Sequence, residues 1–258
     1  MEYLNHFEKL ESYVPLDLLS VRGFLLANMV ILGFVCLRYF LIVFVFYWLF
    51  WQKHLGKNRL DYLHDQKVKS HQFRTEIQWS LSSSFVFALS GYILGIVLQL
   101  EFSQIYLRFN EYPLWYLPLS FAIYTLIHEA YFYWTHVWMH KPKIFKKVHA
   151  IHHISVKTSP WASFSFHPYE ATIHAFFLPL LVCIIPIHPV VILLYLIFMT
   201  VTAISNHLGV EILFPKVLRK FFISGTHHAL HHEKFRYNYG LYYRFMDRWM
   251  GTEQMESK

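Results

Sequence analysis

Cysteine is scarce in this chain of 258 residues: the only two copies, Cys36 and Cys183, each lie inside an apolar run. Two cysteines placed in this way exclude a disulfide-stabilised scaffold and argue against a thiolate zinc finger or an iron–sulfur cluster. Charge is scarce as well, because charged residues make up 15% of the chain, against 55% hydrophobic and 20% aromatic residues. This composition excludes intrinsic disorder and does not describe an ordinary soluble surface. It predicts a membrane protein.

Long apolar runs are the candidate membrane spans. The run 24–51 has Arg38 as its only charge and is long enough to cross a hydrocarbon core of roughly 30 Å. Because residues 1–22 carry four acidic side chains, this run is expected to be a spanning helix and not a cleaved signal. Further spans are expected at 77–100, from Pro113 through 127, and at 171–205 as two helices of about 17 residues joined near Pro186. The sequence therefore predicts an all-α polytopic membrane protein with about four to five membrane helices.

The distribution of Lys and Arg predicts the orientation of these spans. The segments 52–76, 141–170 and 208–258 hold 6, 5 and 8 of them, which is 19 of the 23 in the chain. By the positive-inside rule these three segments are cytoplasmic. Histidine is abundant, with 18 copies against 16 acidic residues, and its clusters fall on this same face. The net charge of +7 thus indicates topology and not nucleic-acid binding, and residues 1–258 are expected to form one domain with a cytoplasmic histidine-rich cap.

Three histidine clusters have the spacing of metal ligands. The first is HxxxH, on the helix that continues from the third span, and the second and third are both HxxHH. Their members are His136 and His140, then His149, His152 and His153, then His228, His231 and His232. Spacings of i, i+3 and i+4 place side chains on one face of a helix. A single pair would be weak evidence, but three clusters on one membrane face indicate metal binding.

The number and type of these ligands bear on the identity of the metal. Eight imidazoles exceed what one ion uses, so two ions with roughly four imidazoles each are expected; imidazole suits zinc, copper, iron and nickel. Thiolate ligands are absent, and so is the Glu and Glu-x-x-His pattern of carboxylate-bridged di-iron bundles. A structural zinc site would need only four ligands and would be closed. Neutral nitrogen ligands would instead leave iron with open positions for dioxygen.

The clusters resemble those of the sterol desaturase and fatty acid hydroxylase superfamily of membrane di-iron oxidoreductases, whose histidine boxes are HxxxH, HxxHH and HxxHH. The resemblance is nearest to the branch that desaturates sterols at ring carbon 5, and it covers about residues 113–252. It rests on the stretches HEAYFYWTHVWMH (128–140) and TSPWASFSFHPYE (158–170) and on the asparagine-tyrosine-glycine and aspartate-arginine elements of the tail. Two positions depart from the family pattern, since Val137 replaces an arginine and Glu170 replaces the aspartate of the sterol enzymes.

Carried over residue by residue, the resemblance implies a set of metal ligands. His207, after the last apolar block, resembles a further ligand between the second and third boxes. The implied ligands are then His136, His140, His149, His152, His153, His207, His228, His231 and His232. His128 and His227 match additional family histidines and are expected either to bind metal or to orient a ligand.

Some polar residues near these clusters are expected to have structural roles. Glu129, next to His128, is expected to bond a ligand histidine. Asp247 is expected to pair with Arg248 or with other basic residues of the cap. His188, in the last apolar block, is expected to be satisfied locally at a helix or turn.

The resemblance implies an enzyme that uses dioxygen and two iron ions to hydroxylate or desaturate a C–H bond of a sterol or of a fatty-acyl or alkyl lipid. The site would face the cytoplasm, in the endoplasmic reticulum or a bacterial inner membrane. Since the chain contains no haem-binding module and no G-x-G-x-x-G fingerprint, electrons are expected from a separate protein of cytochrome or ferredoxin type. The alternative is a histidine-rich membrane metal transporter or metal sensor without redox catalysis. Transporters carry ligands near the middle of spans, where here only His174 approaches, so the enzyme is favoured.

Overall fold

The structure is a computed structural model that describes residues 16–53, 61–63, 68–211 and 218–255. Helices dominate this part of the chain. They are α1 (Val21–Phe46, continued by a π-helical segment, Tyr47–Gln52), α2 (Ser70–Gln99), α3 (Tyr116–Met139), α4 (Pro142–Val148), α5 (Pro168–Ala175), α6 (Phe177–Leu181), α7 (Pro189–Asn206), α8 (Gly225–Lys234) and α9 (Phe245–Met250). Short 3₁₀ turns occupy His152–Ile154, Pro160–Phe164 and Leu218–Lys220. The strands β1 (Asp61–Tyr62) and β2 (Val210–Glu211) pair antiparallel, and the predicted all-α class is confirmed.

Three of the described helices are long and apolar enough to cross a membrane: α1 with its π-helical continuation, α2 and α7. On α1, large apolar side chains such as Leu25, Met29 and Leu37 are 60%, 63% and 67% exposed. An apolar surface of this kind is covered by lipid in a membrane protein. The helix α3 lies where the third span is expected, but it is not among these three. The number of four to five membrane helices therefore stays a prediction.

The expected hairpin of two long helices over 171–205 is wrong in its first arm. Only α7 is a long helix, and it begins at Pro189 with His188 Nδ1 accepting from the amide of Val190 at 3.2 Å, which confirms the local role expected of His188. The first arm is split into α5 and α6. Pro179 has no N–H to donate to the carbonyl of Ala175, four residues earlier, so the helix ends there.

Buried serines on one face of α2 form hydrogen bonds with backbone carbonyls of the segment 161–175. Ser80, Ser83 and Ser90 donate to the carbonyls of residues 161, 166 and 175 at 3.2, 3.1 and 2.6 Å. The last of these carbonyls is the one that Pro179 leaves without a donor. Short polar side chains in an otherwise apolar helix thus satisfy backbone carbonyls of the neighbouring irregular segment.

The C-terminal end of α1 is tied to the segment that follows α7. Trp51 donates from Nε1 to the carbonyl of Leu208 at 2.9 Å, next to the predicted ligand His207. More than three helical turns before Trp51, Tyr39 is fully buried, stacks on Phe164 with ring centroids 4.5 Å apart, and donates to the carbonyl of residue 161. The C-terminal ends of α7 and of the π-helical continuation of α1 therefore lie beside His207.

Candidate metal centre

Four segments of the chain bring the predicted histidines together. The last turn of α3 carries His136 and its C-cap is His140, while His207 is the C-cap of α7. The third box lies on α8, as the helical spacing predicted. The second box does not lie on one α-helix, because α4 ends at Val148 and the chain turns into the 3₁₀ segment His152–Ile154. The expectation of a continuous helical face is wrong there, yet the turn still directs its three rings to the same place.

The nine histidines form two groups in which one nitrogen of each ring lies within 4.8 Å of the others. The five-histidine group consists of His136, His140, His149, His153 and His231. The four-histidine group consists of His152, His207, His228 and His232. All are buried except His140, which is partly exposed. The second and third boxes each contribute to both groups, so the groups are adjacent, with the rings of His153 and His232 only 4.5 Å apart.

Hydrogen bonds to backbone carbonyls determine which ring nitrogen carries the proton. His136 donates from Nδ1 to the carbonyl of Tyr239 at 2.8 Å, and His231 donates from Nδ1 to that of residue 237 at 2.7 Å. His207 does the same to the carbonyl of Ala203 at 2.7 Å. A carbonyl oxygen only accepts, so in each of these rings the proton is on Nδ1 and the lone pair is on Nε2.

The Nε2 atoms of neighbouring rings lie close together in both groups. The Nε2 atoms of His136 and His149 are 3.0 Å apart, and those of His149 and His153 are 3.1 Å apart. In the four-histidine group the corresponding separations are 2.9 Å for His207 with His228 and 3.1 Å for His228 with His232. His136 and His149 both have an acceptor at Nδ1, since Nδ1 of His149 lies 2.7 Å from Glu170, so their Nε2 atoms cannot form a hydrogen bond with each other. Lone pairs held this close are stabilised by a cation. The similar convergence of ring nitrogens in the four-histidine group also fits a metal ion.

Burial keeps these rings neutral. It lowers the pKa of His140 to about 2 and the pKa of His207 and of His231 to about 4. The pKa values of His149 and His232 are also well below the usual 6.5, first through desolvation and then through neighbouring histidines. Neutral imidazole is the form that binds metal, so the lone pairs are available over the physiological pH range.

Glu170 contacts a predicted ligand, a role that the sequence did not reveal. Its Oε1 accepts from Nδ1 of His149 at 2.7 Å, and both side chains are buried. Burial alone raises the pKa of Glu170, so a nearby positive charge is needed to keep the carboxylate ionised. A carboxylate behind a histidine fixes the tautomer and the orientation of the ring. The signal in the sequence was an acidic residue at the start of an apolar segment.

Glu129 supports the centre through the backbone and not through a histidine. It accepts from the amides of Leu241, Tyr242 and Tyr243, the closest at 2.6 Å, so the expected bond to a ligand histidine is wrong. A single carboxylate thus satisfies three consecutive backbone amides of an irregular segment, which strengthens these bonds through its charge. Gly240 permits this approach, because a Cβ at that position would lie 2.8 Å from the carboxylate.

Asp247 holds the preceding residues of the same segment. It accepts from the amides of Tyr239 and Gly240 at 2.8 and 2.9 Å, and Arg248 instead pairs with Glu253 at 3.1 Å. The expected pair of Asp247 with Arg248 is therefore wrong. Since the carbonyl of Tyr239 accepts from Nδ1 of His136, Asp247 positions a carbonyl that orients a histidine.

The two additional histidines of the sequence prediction lie outside both groups. His128 Nδ1 is 2.6 Å from the hydroxyl of Tyr195 and 2.8 Å from that of Tyr242. His227 Nε2 is 3.4 Å from Glu253. The structure does not bring either ring to the nine.

Two cavities with a shared wall lie near the histidines. The larger one, the apolar cavity, lies between α1, α2, α3 and α7 and is lined mainly by aromatic and aliphatic side chains. The smaller one, the histidine cavity, is lined by members of both groups and by Glu170. The two share five lining residues, namely Phe132, Ser163, Phe166, Ala203 and Leu241. An apolar molecule in the first cavity would thus abut the second.

Comparison with known proteins agrees with this architecture. The family model described as fatty acid hydroxylase matches residues 121–252. Lathosterol oxidase from Homo sapiens is 29% identical over 191 residues, 73% of this chain and 63% of the relative. A Delta(7)-sterol 5(6)-desaturase from Gibberella zeae is 28% identical over 193 residues, 74% of this chain and 59% of the relative. The chain spans about three fifths of the length of these relatives.

No solved structure matches the chain significantly. The matched segment begins within α3 and ends two residues after α9, and it contains all nine clustered histidines, Glu170 and the two acidic residues that hold the 239–243 segment. The chain belongs to the fatty acid hydroxylase family.

Proposed function

We propose that this protein is a membrane di-iron oxidoreductase that uses dioxygen to hydroxylate or desaturate a C–H bond of a lipid. The observation that carries the proposal is the convergence of nine neutral histidines into two adjacent groups at the end of an apolar cavity. The names of the relatives, which are a sterol oxidase and sterol desaturases, support oxidation of a lipid, either a sterol or a fatty-acyl or alkyl lipid. They do not favour a metal transporter or sensor.

The donor set supports iron over structural zinc. A closed structural zinc site uses four ligands, and one of the two groups here offers five imidazole nitrogens. Nitrogen ligands suit iron among other metals. Two bound iron ions would supply the activation of dioxygen.

The residues of the chain have distinct tasks in this proposal. The five-histidine and four-histidine groups would each hold one ion, with Glu170 and the Tyr239 carbonyl fixing two of the rings. The aromatic walls of the apolar cavity would receive an alkyl chain or ring system and exclude water. The shared wall at Phe132, Phe166 and Ala203 would bring one carbon of that lipid next to the histidine cavity.

The proposed orientation places the centre at the cytoplasmic face. The basic segments and the histidines flank the same ends of the apolar helices, which supports a multi-pass protein of the endoplasmic reticulum or of a bacterial inner membrane. A lipid could then enter from the bilayer while electrons arrive from a separate cytoplasmic donor of cytochrome or ferredoxin type.

The proposal is tested by metal analysis combined with product analysis. The purified protein should contain about two iron ions per chain, and membranes supplied with reductant and lipid should gain a product heavier by one oxygen or lighter by two hydrogens. Replacing His149 or His228, which lie at the centre of their groups, with Ala should each remove about one iron and abolish the product. His71→Ala, which changes an exposed histidine on α2, is the matched control and should leave both unchanged.

Tight zinc without oxygen consumption would overturn the proposed function. So would an unchanged product in the His228→Ala variant, because that ring contacts both His207 and His232.

A further inference from the structure

Arg38 is a charged residue in the middle of an apolar helix. It lies in α1, whose π-helical continuation extends to Gln52, in a segment long and apolar enough to span a membrane. It is the only charge in the run 24–51. A charge at this depth is costly, so it is retained where it pairs with another group or serves a ligand.

The described residues provide no such pair. The guanidinium atoms Nε and Nη1 are buried and have no hydrogen-bond partner there. The carbon of the guanidinium lies 5.8 Å from the centre of the Phe34 ring, a contact that leaves the N–H groups without acceptors. Because a guanidinium does not lose its proton in proteins, the site cannot become neutral by titration. Arg38 therefore presents a permanent charge and unused donors.

Arg38 lies at the wall of a cavity and not in a packed core. Arg38 lines the apolar cavity, together with Phe34, Phe87 and Leu178, and the residues that line this cavity include no Asp or Glu. It does not line the histidine cavity, which meets the apolar cavity at Phe132 and Ala203. A molecule that occupies the apolar cavity can thus contact Arg38 with one part while another part lies against the histidine cavity.

We propose that Arg38 binds an anionic head group, a carboxylate or a phosphate, of the lipid that occupies the apolar cavity. This inference rests on the proposed function and narrows the substrate to a lipid with an acidic oxygen group. A carboxylate or phosphate matches the two-pronged geometry of a guanidinium and neutralises its charge. A hydroxyl or ketone would accept one hydrogen bond and leave the charge uncompensated in an apolar cavity. With the head group held at Arg38, the position of the oxidised carbon is set by its distance along the lipid from that group.

Equilibrium binding tests this proposal without turnover. The full-length protein in phosphatidylcholine nanodiscs, with no reductant added, is titrated with radiolabelled hexadecanoate, hexadecyl phosphate and hexadecan-1-ol. These three probes share one chain and differ in the head group. The variants are Arg38→Gln, Arg38→Lys and the control Arg22→Gln, which changes an exposed arginine on the same helix. Affinities are corrected for partition into protein-free nanodiscs.

The wild-type protein should bind one or both anions at least about tenfold more tightly than the alcohol, since charge-assisted bonds are the stronger kind. Arg38→Gln should remove this preference and change alcohol binding by less than about threefold. Arg38→Lys should keep part of the preference, and Arg22→Gln all of it. A preference for hexadecanoate over hexadecyl phosphate identifies a carboxylate lipid, and the reverse identifies a phosphate lipid.

Equal affinities of the wild-type protein for the alcohol and for both anions would overturn the proposal, even if Arg38→Gln does not fold. An equal loss for all probes in a folded Arg38→Gln variant would overturn it too. Because no iron or product is measured, a failure of the proposed oxidase function would appear separately, in the metal and product analyses.

Discussion

Glu170 offers a sharp test of how the metal centre is built. In the Glu170→Gln variant, an amide oxygen replaces the carboxylate that accepts from Nδ1 of His149 at 2.7 Å. A charge-assisted hydrogen bond contributes about 1.5–3 kcal/mol and a neutral one about 0.5–1.5 kcal/mol. The difference of about 1–1.5 kcal/mol corresponds to roughly tenfold weaker binding of iron at the five-histidine group. Glu170→Ala leaves the buried N–H of His149 without this acceptor. It should weaken iron binding more than Glu170→Gln does, by about 10–100-fold relative to the wild type.

Competition with a chelator of known affinity measures this effect. Iron remaining on the purified protein is determined by mass spectrometry at each chelator concentration, for the wild type and for both variants. The four-histidine group is an internal control, since none of its members bonds Glu170 through a side chain. Glu233→Gln, which changes an exposed carboxylate on α8 that pairs with Lys234, is the matched external control.

The plot of bound iron against chelator concentration should have two steps. The step of the five-histidine group should move to lower chelator concentration in Glu170→Gln and further in Glu170→Ala, while the step of the four-histidine group should not move. If both steps move together, Glu170 acts on the whole fold and not on one ring. If neither step moves in Glu170→Ala, the bond to His149 has no part in metal binding and the reasoning is refuted.

Three further substitutions test the surroundings of the centre. Asp247→Asn should lower the thermal unfolding temperature in detergent by removing about 1–3 kcal/mol, since one of the two buried amides it serves would lose its acceptor; an unchanged transition would contradict this. Ser90→Ala should destabilise the protein by about 1–3 kcal/mol in the same assay, because the carbonyl of residue 175 would have neither Pro179 nor a hydroxyl as donor. Ala203→Phe should fill the wall shared by the two cavities, so that product formation falls at least about tenfold while iron content is unchanged. Leu194→Phe, at an exposed position of the same helix, is its control, and full activity of Ala203→Phe would mean that lipid reaches the centre by another path.

The two-group arrangement of the histidines could be anticipated in part from their spacing. The HxxHH pattern predicted rings close together, and the count of eight predicted two ions. The sequence could not say how each box divides, with His149 and His153 in one group and His152 in the other. That division depends on the 3₁₀ turn after α4, and whether a segment forms α- or 3₁₀-helix is decided by tertiary contacts more than by local pattern.

Other features depended on contacts that no local pattern contains. The break between α5 and α6 has a local cause in Pro179, but an apolar run with one internal proline also fits a kinked helix, so the sequence alone favoured a span. Glu129 was expected to bond a ligand histidine, and Asp247 was expected to pair with Arg248 or with other basic residues of the cap. Both instead accept from backbone amides of the 239–243 segment, a role that is visible only once the segment is folded against α3.

The sequence presented Arg38 as a tolerated exception in a membrane span and the histidines as a separate cytoplasmic feature. In the structure both contribute to the walls of adjoining cavities, with the permanent cation in the apolar one and the neutral, lone-pair-bearing nitrogens in the other. An anionic head group is attracted to the guanidinium, and an alkyl chain offers nothing to it. With the head group at Arg38, the apolar part of the lipid would occupy the rest of the apolar cavity, whose wall at Phe132 and Ala203 is shared with the histidine cavity. The distance between the two sites, and not recognition of the reacting carbon itself, would then select which C–H bond is attacked.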